Sequence, residues 1–131
     1  MTYQEPPERM NDLTYRTIGA AIEVHNQLGP GFLESVYEQA MSIELEMRGI
    51  KHIRQYPTRV EYKGHPVGEG RIDILVEKQL VVELKTVETL LPVHKAQVIS
   101  YLKATNLQLG LLINFKVSVL NKGVQRIVLS S

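Results

Sequence analysis

Apolar residues recur at Leu13, Ile18, Ala21, Ile22 and Leu28, close to the spacing of one helical face. Asn11 or Asp12 is placed to cap that helix, because a short side-chain oxygen accepts an orphan amide proton. Gly29-Pro30-Gly31 interrupts the pattern, since proline has no backbone donor and disfavours the helical state of the residue before it. A second helix is expected next, with Leu33, Val36, Ala40, Ile43 and Met47 on its apolar face and Gly49 as its C-terminal cap. Residues Ile53 to Tyr62 are rich in aromatic and β-branched types around Pro57, which predicts an edge strand or a bulge. After the turn Lys63-Gly64-His65-Pro66, the stretches Arg71–Val76 and Leu80–Lys85 flank a polar break at 77–79 and read as a β-hairpin. Pro92 to Thr105 reads as a helix with proline in its first turn. Leu109 to Phe115 is almost wholly apolar and reads as a buried strand, followed by a short last strand over Val124–Leu129. The pattern predicts a frayed polar lead over 1–10 and one domain over 11–131, a mixed α/β fold with a single sheet covered by helices.

Composition narrows the function classes. The chain has 131 residues, 15 Lys+Arg against 14 Asp+Glu, and no cysteine. The charge balance gives no global pull toward nucleic acid or an anionic membrane, so such binding would need a local patch. Without cysteine there is no disulfide framework, thiolate zinc site or cysteine nucleophile. No apolar run approaches the roughly 20 residues that span a bilayer, and Met1 to Arg9 lacks the apolar segment of a signal peptide. A cytoplasmic protein with no membrane partner is expected. The four histidines, His25, His52, His65 and His94, show no metal-ligand spacing, and His25 is expected to make a structural hydrogen bond.

The hairpin carries the candidate chemistry. A loop at 77–79 sets Val76 against Leu80 and Asp73 against Glu83. Side chains alternate along a strand, so Glu83, Lys85 and Asp73 share one face while Val82 and Leu84 take the other. Opposed residues have Cβ atoms about 4.5–5.5 Å apart, and two carboxylates at that separation need a proton, a lysine or a divalent cation between them. Carboxylate oxygens suit Mg²⁺, Mn²⁺ or Ca²⁺. An ion-paired sheet face, Asp73 and Glu83 against Lys85 or Arg71, is the alternative use of the same residues.

Asp73, followed after nine residues by Glu83-Leu84-Lys85, resembles the Asp…Glu-x-Lys core of the PD-(D/E)XK nuclease superfamily. Gly31-Phe32-Leu33-Glu34-Ser35-Val36-Tyr37 matches the signature of the bacterial family named GxxExxY. Val24-His25-Asn26-Gln27-Leu28, Gly68-Glu69-Gly70 and Gln97-Val98-Ile99-Ser100-Tyr101 are similar to that family as well, so the resemblance runs from about Leu13 to the C-terminus. It implies a restriction-endonuclease-like sandwich with a central mixed sheet flanked by helices. It implies metal ligation by Glu34, Asp73 and Glu83, with Mg²⁺ or Mn²⁺ as cofactor. It gives Lys85 the task of orienting the attacking water or stabilising the charged transition state. Gln97 and Tyr101 resemble the Gln-x-x-x-Tyr pair of the exonuclease branch and would wall the site, and Tyr37 would stand beside Glu34, three residues along the helix. Ile72 replaces the proline that often precedes the aspartate.

The implied activity is phosphodiester hydrolysis of nucleic acid, DNA in the first instance, by a metal-activated water. Lys51, Arg54, Arg59, Lys63, Arg71, Lys95 and Lys103 are candidate phosphate contacts. A non-catalytic binding or assembly module that keeps the fold is the second reading. A nuclease core this small has little room for a recognition domain, so a homo-oligomer or partner protein is expected, with apolar runs such as Leu107–Phe115 as interface candidates.

Overall fold

A computed structural model describes residues 6–129. Helix α1 spans Glu8–Leu28 and α2 spans Glu34–Met47; strands β1 (His52–Tyr62), β2 (His65–Val76) and β3 (Leu80–Lys85) follow. Helix α3 (Pro92–Thr105), strand β4 (Leu109–Asn114), a 3₁₀ turn (Leu120–Gly123) and strand β5 (Val124–Val128) complete the order. The strands form one five-stranded sheet in the order β1-β2-β3-β4-β5. All neighbours are antiparallel except β3 and β4, which are parallel and joined through α3. A parallel pair needs such a crossover, because a tight hairpin returns the chain in the opposite direction.

Helices α1 and α2 cover one face of the sheet and α3 the other. Met10, Leu13, Ala20, Ala21 and Val24 of α1, with Tyr37, Met41 and Leu45 of α2, pack on Ile74, Val76, Leu80, Val82 and Leu84. Val98 and Leu102 of α3 pack on Ile72, Leu75, Val81 and Leu112. Strands β3 and β4 are covered on both faces, which is why they read as nearly continuous apolar runs. This is the restriction-endonuclease-like α/β sandwich that the sequence leads one to expect.

Three expectations need correction. Helix α1 begins at Glu8 rather than after Asn11 or Asp12, and Met10 is buried, so the polar lead ends sooner; its residues 1–5 lie outside the described residues. The Asn11 side chain instead accepts a hydrogen bond from Arg126 at 2.6 Å. The expected apolar face of α2 is the outward one: Leu33, Ile43 and Met47 are 75%, 51% and 76% exposed, whereas Tyr37, Met41 and Leu45 are sealed. Leu109–Asn114 is paired on both sides, so it presents no sheet edge to a partner. His25 makes the structural bond expected of it, 2.8 Å from the carbonyl of Val117.

Candidate active site

The site forms where β2 and β3 part. Their ladder runs from Val76–Leu80 to Ile74–Val82 and stops there. Beyond it the carboxylates take the place of ladder bonds. The backbone N–H of Asp73 donates to Oε1 of Glu83 at 2.9 Å, and the N–H of Leu84 donates to Oδ2 of Asp73 at 2.8 Å. Each acid thus satisfies a backbone donor near the other, and the two side chains are fixed face to face.

Strand β2 rotates at this point. In a regular strand Ile72 and Ile74 would share a face, yet Ile72 packs under α3 and Ile74 under α1 and α2. Gln55 of β1 stands across from Asp73, between the pairs Arg54–Ile74 and Tyr56–Ile72, and has a left-handed backbone with φ 51°. A non-glycine residue in that region is strained. Its amide bonds to Glu38 and reaches Oδ1 of Asp73 at 3.5 Å.

Burial and mutual repulsion dominate the electrostatics. Glu83 is 3% exposed. Burial first, then the charge of Asp73, push its carboxyl from a usual value near 4.5 up to about 8. The interaction between the two side chains raises Glu83 and lowers Asp73, so Glu83 is the member of the pair that holds a proton. Burial also raises Asp73, opposed by its bond from Leu84 and reinforced by Glu38. Glu34, the first residue of α2, is raised by burial; Lys85 pulls the other way, and Asp73 and Glu38 add repulsion. Lys85 is half-buried, acts on all three acids through space, and forms no direct ion pair among the described residues. Arg71 reaches the carbonyl of Gln55 rather than either acid. The ion-paired sheet face is therefore not what holds Asp73 and Glu83 together.

A family model described as PD-(D/E)XK nuclease superfamily matches residues 11–127. The chain belongs to the PD-(D/E)XK nuclease superfamily. No curated protein and no solved structure matches it. Membership implies a nucleic-acid substrate and a divalent metal ion. The donor chemistry fits a hard cation, being two carboxyl groups held together with no ion pair to neutralise them. Among the described residues no three His, Asp or Glu side chains are gathered closely enough to ligate one ion. Glu34 is close enough to Asp73 to feel its charge, but as the side chains stand it does not join Asp73 and Glu83 in one cluster of ligands. No helix among the described residues is long and apolar enough to cross a membrane.

Around this PD-(D/E)XK core, Gln97 and Tyr101 of α3 stand side by side, and Tyr101 is near enough to Glu83 and Asp73 to feel their charge. The Gln97 amide donates to the Tyr101 hydroxyl at 3.3 Å. Burial and the charge of Glu83 raise the Tyr101 phenol above its usual value. Tyr37 does not line the surface. It is fully buried, stacked on Phe115 with ring centroids 4.4 Å apart. Its hydroxyl donates to the Gly29 carbonyl and accepts from the Phe32 N–H at 3.2 Å. Tyr37 therefore pins the loop that sets Glu34 at the start of α2. Of the candidate phosphate contacts, Arg54 is already bound to Glu38 at 3.0 Å and to Gln39.

Two site residues escaped the sequence reading. Glu38 lies four residues after Glu34 and so on the same helical face, a signal that was present. Gln55 had none, because its place opposite Asp73 depends on strand register.

Proposed function

We propose that the protein is a Mg²⁺- or Mn²⁺-dependent nuclease of the GxxExxY branch, hydrolysing phosphodiester bonds of nucleic acid, DNA in the first instance, in the cytoplasm. The observation that carries this reading is the pair of half-buried Asp73 and buried Glu83, each bonded to a backbone N–H near the other and not ion-paired, with Glu83 raised to about 8 and Lys85 beside them. Asp73 and Glu83 would hold the ion, with Glu34 reaching from α2. Bound there, a divalent ion supplies an activated water and neutralises charge on the phosphate. Lys85 keeps a positive charge where the phosphoryl oxygens gain negative charge. The raised Tyr101 phenol stays protonated at neutral pH and so remains a hydrogen-bond donor to a phosphate oxygen. Gln97 orients that hydroxyl.

The test is cleavage of single- and double-stranded DNA and RNA with Mg²⁺ and with Mn²⁺, comparing wild type with Lys85→Ala. Removing a single stabilising charge of this type typically costs on the order of 10²–10³ in rate. Metal-dependent cleavage that falls by that order in Lys85→Ala is the expected outcome. Metal-independent cleavage, or equal rates in the two proteins, contradicts the reading. A protein that neither cleaves nor binds the ion is a non-catalytic module on a nuclease fold.

A further inference from the structure

Helix α2 is apolar on two sides. Tyr37, Met41 and Leu45 face the core. Leu33, Val36, Ala40, Ile43 and Met47 advance by three, four, three and four residues, the a/d spacing of a coiled-coil seam. All but the half-buried Ala40 are exposed. Val36, Ala40 and Ile43 also line a shallow groove against Leu28 of α1. A helix apolar beyond its core stripe is normally covered. We propose that this seam is the interface of a two-fold dimer, in which α2 packs antiparallel on α2 of a second copy.

The spacing fits a second copy because an isologous interface must be complementary to itself. A two-fold axis between Met41 and Ser42 sets Val36 against Met47 of the other copy and Ala40 against its Ile43. Each layer then joins a larger side chain to a smaller one, as interdigitating layers require. The flanks agree. Antiparallel pairing brings Gln39 beside Glu46 of the second copy, an amide against a carboxylate, while the two Glu46 side chains stay about 13 Å apart along the axis at 1.5 Å per residue. Glu44, on the other flank, is already neutralised by Arg48 at 2.7 Å. Antiparallel helices also oppose their macrodipoles favourably. The 14 residues of α2 make a contact about 21 Å long, and with its rim such a contact buries on the order of 1,000 Å², the low end for a specific interface. A micromolar dimer is expected. The core and site residues Tyr37, Met41, Glu34 and Glu38 lie round the helix from the seam, so both candidate sites remain open.

Sedimentation at up to about 100 μM, a hundredfold above a micromolar Kd, tests the dimer. Wild type should run at twice 14.9 kDa, and Ile43→Glu at the monomer mass with unchanged circular dichroism. The absence of cysteine makes orientation testable as well. An equal mixture of Val36→Cys and Met47→Cys should oxidise to a disulfide-linked dimer well in excess of either protein alone. A monomeric wild type, which would leave the seam to a different protein, overturns the proposal. So does an Ile43→Glu variant that still dimerises, or cross-linking of Val36→Cys alone that exceeds the mixture.

Discussion

Asp73 and Glu83 show how a residue pair becomes chemistry through backbone geometry. Their opposition was legible, because the loop at 77–79 fixes the register and the register fixes the partners. Their mode of contact was not, because it depends on the ladder ending at Ile74–Val82 and on the rotation of β2 opposite the strained Gln55. The pair carries a definite pH signature. A carboxyl raised from about 4.5 to about 8 binds its proton more tightly in the folded chain, so its contribution to stability is complete below pH 4.5 and is lost as pH rises toward 8. Asp73 and Glu34, also raised, act in the same direction. The metal-free melting temperature should therefore fall between about pH 5 and pH 8. The fall should be shallower in Asp73→Asn, which removes the charge that helps raise Glu83. Melting curves across that range check it, and a temperature that climbs toward pH 8 would contradict it.

At the scale of elements, α3 was legible end to end, because Pro92 marks its first turn and Asn106, in the left-handed conformation, ends it. Helix α2 misled for a physical reason: with two apolar sides, periodicity alone does not say which one meets the sheet. The buried side is chosen by Tyr37, whose hydroxyl finds Gly29 and Phe32 inside and whose ring finds Phe115. Tyr101 depends on a close approach that no helical pattern reveals. A Cβ at Gly70 would lie 2.7 Å from a Tyr101 ring carbon and 2.8 Å from the Thr58 hydroxyl. Gly70→Ala must therefore push the ring away from the β1–β2 hairpin, at a cost of about 1–3 kcal/mol for overpacking. Urea unfolding should show that loss. A change below about 0.5 kcal/mol, the range of ordinary surface substitutions, would mean that the ring yields freely and is not held for a task.

For the whole molecule, one sheet with β3 at its centre gathers acids from distant parts of the sequence. Glu34 enters from α2, Asp73 and Glu83 from the parting strands, and Tyr101 from the opposite face. The element order and the fold class could be read from the chain because strands and helices alternate in patterning. How far α2 stands from the carboxylate pair could not, since it is set by packing across the sheet. The proposed function requires that a divalent cation replace the proton that burial and the charge of Asp73 keep on Glu83. Thermal melts of wild type and Asp73→Asn, each with and without Mn²⁺, test it most directly. An ion that binds only the folded chain adds about 2.7 kcal/mol at a hundredfold excess over its Kd. Saturating Mn²⁺ should then raise the wild-type melting temperature by several degrees. Asp73→Asn should melt at the same temperature or higher without metal and lose most of the response. A wild type indifferent to Mn²⁺, together with an Asp73→Asn variant that melts lower, would contradict the account.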